Sequence, residues 1–230
     1  MRFTNKRKPS QAEYKIQNTT LARVDSAKYL GVILDSKLNW SNQISAACGK
    51  ASRTLSFLQR NLYFCPTGVK EKCVNTHVRP VPEYGCCVWD PHQANHIEQL
   101  EKVQRRCARF VTGNHTLTHG NTKKNLDSLG WPSLETRRAR AKLYLLFKAK
   151  SNAIELPLDD LVWKVEPPKT RRSSPLNFPI PDSTINSHKH SFFPSTIRLW
   201  NNLPELAKTS QSLPDFRFFV EHNTLSRDIF

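Results

Sequence analysis

Among 230 residues, 35 lysines and arginines stand against 19 acids, a net charge of +16. With a pI near 9.9, that balance points to a polyanionic partner, nucleic acid before an anionic membrane surface. The length allows one or two domains and a real core. No window approaches the roughly 18 apolar residues of a membrane span, and the start, M-R-F-T-N-K-R-K, lacks the apolar stretch of a secretory signal. The expectation is a nuclear or cytoplasmic protein, not secreted and with no membrane partner. Its six cysteines are then free thiols.

Residues 1–12 are basic and polar. Lys6-Arg7-Lys8-Pro9 reads first as a solvated loop and second as a nuclear import signal. Two extended segments, 13–17 and 21–24, flank Asn18-Thr19-Thr20 and predict a hairpin. A third strand is predicted over 29–34, with Gly31 marking a bulge or a close backbone approach.

From 39 to 62 the period becomes helical. Ile44, Cys48, Ala51, Leu55, Leu58 and Leu62 form a near-heptad seam, while Lys50, Arg53 and Arg60 lie off it. Trp40 opens this helix and is expected to pack beneath it. Pro66 suits the first position of another helix. Its apolar face holds Val69, Cys73, Val74, His77 and Val78, and Pro80 and Pro82 are expected to kink or stop it. Residues 84–89 are apolar and ambiguous, and Asp90-Pro91 marks a turn.

The clearest helix starts near Ala94. Ile97, Leu100, Val103, Cys107, Phe110 and Val111 line one face, and Arg105, Arg106 and Arg109 occupy the other. Its acids come early and its arginines late, as the helix dipole favours, and Gly113 supplies a left-handed stop. A short helix is predicted over 121–129. A long one follows from Pro132 to about Ser151, with Leu134, Ala141, Tyr144, Leu145 and Phe147 inward. Between Lys123 and Lys150, eight basic residues meet two acids. Arg137, Arg138, Arg140 and Lys142 supply half of that basic charge.

Composition changes near 152. Six prolines between 157 and 181 predict an extended linker, which also carries Arg171-Arg172. Order returns at 191, where a helix from Pro194 should bury Ile197 and Trp200. Ser212-x-x-Asp215 is a capping box for a last helix.

Catalytic constellations are scarce. The seven glycines build no phosphate loop, and Asp159-Asp160, in proline-rich surroundings, reads as a solvated turn. A zinc site from Cys86, Cys87, Cys107, His115 and His119 ranks last, because adjacent cysteines are poor paired ligands. His77 is expected in the core, and the five tryptophans mostly as core anchors. No resident metal or cofactor is expected. The residues describe a mainly α, basic, nucleic-acid-binding chain. Lys50, Arg53, Arg60, Arg105, Arg106, Arg109, Arg137, Arg138, Arg140 and Lys142 are the candidates for phosphate contact.

Five blocks then carry a resemblance. They are K-Y-L-G-V-I-L-D-S-K-L-N-W (28–40), V-R-P-V-P-E-Y-G-C-C-V-W-D-P (78–91), I-E-Q-L-E-K-V-Q-R-R-C-A-R-F-V-T-G (97–113), L-G-W-P-S-L-E-T-R-R (129–138) and S-F-F-P-S-T-I-R-L-W-N-N-L-P (191–204). In this order the chain resembles the C-terminal part of LINE-type (non-LTR) retrotransposon reverse transcriptases. The resemblance implies palm-edge strands over 1–36, with Tyr29, Leu30 and Gly31 at the primer grip. It further implies a helical thumb-like bundle over 37–152 that clamps template–primer duplex, a proline-rich linker over 153–190 and a C-terminal helical tail over 191–230. The family's aromatic-Ala-Asp-Asp box, which holds catalytic Mg²⁺, is absent. The chain is therefore expected to be incomplete as a polymerase by itself, with RNA or DNA and the missing polymerase half as partners. A decayed or co-opted remnant, acting as a protein-interaction scaffold or without function, is the alternative.

Overall fold

The structure, a computed structural model, describes residues 1–4, 12–114, 121–155 and 174–222, with Thr122 described by its backbone alone. Lys6-Arg7-Lys8-Pro9, His115, His119, Asp159-Asp160, Trp163 and Arg171-Arg172 lie outside the described residues. The fold is mainly α. It divides into two compact units, Met1–Gly85 with Gln93–Gly130, and Cys86–His92 with Trp131–Phe230. None of the described helices is long and apolar enough to cross a membrane.

The first unit opens with two hairpins. Strands β1 (Lys15–Ile16) and β2 (Thr19–Thr20) pair antiparallel around Gln17-Asn18. The turn is tighter than the predicted three-residue connection, because Gln17 takes a φ of 53° and closes it in two. Strands β3 (Ser26–Tyr29) and β4 (Val32–Asp35) form the second pair. Here the predicted single strand over 29–34 is corrected. Leu30 and Gly31 both have positive φ, 45° and 84°, so the chain reverses at the very place where a bulge was expected.

Helix α1 (Ser41–Asn61) buries Ile44, Ala47, Ala51, Leu55 and Leu58, with Cys48 half-buried along the same seam. Helix α2 (Thr67–Cys73) runs into a wide π-turn over Val74–Val78 and on into α3 (Pro80–Glu83). Pro80 explains the wide turn. Its ring would strike the carbonyl of Thr76 in a regular α-helix. Instead Arg79 N–H donates to the Val74 carbonyl five residues back at 3.0 Å, and the helix continues past both prolines. Buried residues then recur every fourth position, at Val74, Val78 and Pro82, and His77 is turned out to solvent, not into the core. Helix α5 (Ala94–Thr112) buries Leu100, Val103, Cys107, Phe110 and Val111 and ends at Gly113 with φ 68°. It packs on α1 and on α6 (Asn121–Ser128).

The second unit takes α4 (Cys86–Trp89) from the chain ahead of α5. It adds α7 (Leu134–Lys150), α8 (Asn186–Lys189), α9 (Phe192–Asn201), α10 (Glu205–Lys208) and α11 (Leu213–His222). So α7, predicted to belong with the preceding helices over 37–152, groups with the C-terminal ones. Phe216 stacks on Phe147 with ring centroids 4.4 Å apart, and Trp200 stacks on Phe216 at 5.6 Å. Part of the predicted linker is built into this core. Trp200 Nε1 donates to the Leu176 carbonyl at 3.0 Å, and Asn201 bonds both backbone groups of Phe178. The block 191–204 therefore supplies the centre of this unit. Ser212 caps α11 as predicted, accepting from the Asp215 backbone N–H at 3.2 Å.

Candidate nucleic-acid interface

The basic candidates separate into three environments. Lys50, Arg53 and Arg60 are exposed on α1, opposite its buried seam. At 100° per residue they share one stripe with Phe57, which is 56% exposed. The helix carries no acid along its 21 residues. The rise from Lys50 to Arg60 is about 15 Å, the length of roughly four phosphates along one strand of a duplex.

Several contacts hold this helix in place. Gln43 Oε1 accepts from the Ile33 N–H at 2.9 Å, which ties the start of α1 to the second hairpin. Ser41 Oγ meets His96 Nε2 at 3.1 Å, and Arg106 Nη1 donates to Ser52 Oγ at 3.2 Å, both linking α1 to α5. The cations on α1 thus stand on a helix fixed from two sides.

The second group is half-buried and engaged. Arg105 pairs with Glu98 on its own helix, and Arg106 is spent partly on Ser52. Arg109 and Arg137 are half-buried. Arg140 Nη2 donates to the Glu221 carbonyl at 3.3 Å.

The third group corrects the expectation. Arg138 is 1% exposed and Lys142 is buried with it. Arg138 Nε meets Asp90 Oδ1 at 2.7 Å, and Lys142 Nζ meets Asp90 Oδ2 at 2.5 Å. Lys142 also reaches Ser195 Oγ at 3.4 Å. The inward face of α7 is Leu134, Arg138, Ala139, Lys142, Leu143, Leu146, Phe147 and Ala149, whereas Ala141, Tyr144 and Leu145 are half-buried. A single carboxylate draws both cations inward, so neither is presented as a surface phosphate contact.

The thiols beside this cluster differ from one another. A hydrogen bond between the neighbouring sulfurs, together with burial, pushes the Cys86 thiol up. The same bond brings the Cys87 thiol down, and Lys142 adds to that. Among the described residues, no group of three or more His, Cys, Asp or Glu is placed to hold a metal.

Tyr29, Leu30 and Gly31 form the tip of the second hairpin. Tyr84 Oη donates to the Leu30 carbonyl at 2.9 Å. A Cβ on Gly31 would stand 3.1 Å from Tyr84 Cε1, which accounts for the close approach expected there. Two of the five quoted blocks therefore meet at this point.

Residue counting missed the exposed aromatics. Tyr63 and Phe64 follow α1 and are 66% and 96% exposed. Large apolar residues between cations and off the buried seam were the available signal. The tryptophans at 89, 131 and 200 are buried, as expected of core anchors, and Trp40 is half-buried.

Over 117 residues, 48% of this chain, the sequence is 26% identical to a probable RNA-directed DNA polymerase from transposon X-element of Drosophila melanogaster. The chain is related to a transposon RNA-directed DNA polymerase. The match spans 12% of that protein's length. No family model matches the chain, and no solved structure matches it.

Proposed function

We propose that this chain is a nucleic-acid-binding part of a LINE-type reverse transcriptase, which grips template–primer duplex from the thumb side and cannot polymerise alone. The observation that carries this reading is the outward face of α1, with Lys50, Arg53 and Arg60 on one exposed stripe free of acids. Such a face contacts phosphates of any sequence and binds through counterion release. In this reading the Tyr29-Leu30-Gly31 tip takes the primer-grip position. The Mg²⁺ chemistry of the parent enzyme belongs to the aromatic-Ala-Asp-Asp box, which these 230 residues lack.

The test is the salt dependence of binding to a blunt RNA/DNA or DNA duplex, followed by fluorescence anisotropy. Removing all three cations in K50A/R53A/R60A should lower the slope of log K against log[salt] by about 2.7, at roughly 0.9 per phosphate contact. An unchanged slope rejects α1 as the contact. Nucleotide incorporation by the purified chain rejects the claim that it is catalytically incomplete. A second reading, a protein-interaction scaffold, is favoured by the hairpin tip, where Leu30 is 74% exposed. Sedimentation that shows stable self-association without duplex binding supports it.

A further inference from the structure

Tyr63 and Phe64 are the two central residues of the turn that ends α1. The turn is closed by a hydrogen bond from the Cys65 N–H to the Leu62 carbonyl at 3.1 Å. Their rings meet edge to face with centroids 5.0 Å apart. Both lie in water, and Phe64 has almost no protein around it. A large apolar side chain left so exposed marks an interaction site when it belongs to a patch. Phe57 is a third exposed aromatic, between Arg53 and Arg60 on the outward face of the helix that leads into the turn.

The electrostatic setting selects the occupant. Between Asp35 and Glu71 there is no acid at all, while Lys37, Lys50, Arg53, Arg60 and Lys70 supply five positive charges. A ligand complementary to this surface carries negative charge and also presents flat apolar faces. A nucleic-acid strand does both, but a duplex keeps its base faces inside its own stack. Aromatic rings beside a phosphate-binding helix can meet base faces only where bases are unpaired.

We infer that the Tyr63–Phe64 turn is a stacking platform for unpaired bases, so that the preferred ligand is a duplex continuing into a single strand. The duplex lies along the Lys50–Arg60 stripe, and the first unpaired bases stack at the end of α1. This inference rests on the proposed duplex grip, and the experiment separates the two.

Binding is compared for a blunt duplex and for the same duplex with a single-stranded extension containing 2-aminopurine. The extension is expected to tighten binding by about five-fold or more, with quenching of the 2-aminopurine fluorescence on stacking. Y63A/F64A should abolish that gain and the quenching while leaving blunt-duplex affinity unchanged. F64W should retain both, and F64L, which stays apolar without a π face, should lose both. Because these side chains are exposed, the variants should fold, which an unchanged circular dichroism melt verifies. Equal affinity for the two ligands, or an F64L that behaves as wild type, overturns the stacking platform and leaves the duplex grip standing. No binding to either ligand overturns both.

Discussion

Removing the carboxylate of Asp90 should destabilise the protein strongly. In Asp90→Asn the side chain keeps its size, but Arg138 and Lys142 lose the carboxylate that pairs with both, and both are buried. Breaking a buried ion pair from one side costs about 3–5 kcal/mol, because the remaining charge stays desolvated. The Asp90 side chain keeps 20% exposure, so water can enter and the low end applies, about 3 kcal/mol. That is a large share of the 5–15 kcal/mol typical of a folded domain. With a urea dependence of about 2 kcal/mol per molar, the unfolding midpoint should fall by about 1.5 M. Tryptophan fluorescence is a suitable probe, since Trp89 and Trp200 are buried in the same unit as Asp90. Introducing R138M and K142M into the Asp90→Asn chain should restore most of the loss, because apolar side chains of similar volume often replace a buried ionic triad at little cost. A midpoint shift under about 0.5 M, or no recovery in the triple variant, refutes the view that one carboxylate holds two buried cations.

Two further outcomes follow from other titrating groups. Burial, then the His92 ring stacked 4.0 Å away and the nearby cations, hold His190 below its ordinary value of 6.5. The unfolded chain therefore binds a proton at His190 before the folded chain does. This contribution to stability is complete above pH 6.5 and declines as pH falls from there toward the folded value. Urea midpoints at pH 7.5 and 5.5 should differ less in His190→Gln than in the wild type. Iodoacetamide at neutral pH should label Cys87 ahead of Cys86 and Cys107, as read by peptide mass spectrometry. Cys87 is half-buried with its thiol lowered, whereas burial pushes the Cys107 thiol up to about 12.

What could be read from the sequence was whatever depends on neighbours three or four residues away. The α1 seam from Ile44 to Leu58 and the α5 face from Leu100 to Val111 follow from spacing alone, and so does the stop at Gly113. Ser212 and Asp215 form a cap within one turn, and it too was legible. Arg138 and Lys142 were misplaced because their partner lies 48 and 52 residues away, and no local count of charge detects it. His77 was misplaced because Pro80 forces a wide turn upstream, and every later position rotates relative to an unbroken helix. The exposed aromatics escaped notice because aromatic residues are core material on average, and exposure is a property of the packed chain.

The route of the backbone between the two units has a consequence for modularity. The chain enters the second unit at Cys86, leaves after His92 to build α5 and α6, and re-enters at Trp131. A single cut at either place cannot release both pieces intact. A C-terminal piece starting at Trp131 would inherit Arg138 and Lys142 without Asp90, the counter-ion supplied by the seven-residue excursion. A tandem duplication or exon exchange that moved the C-terminal unit with one breakpoint would therefore carry an uncompensated charge into its new host. Inheritance of this region as one indivisible block is written into the path of the chain, and any engineered chimaera that takes the C-terminal unit should graft Cys86–His92 along with α7.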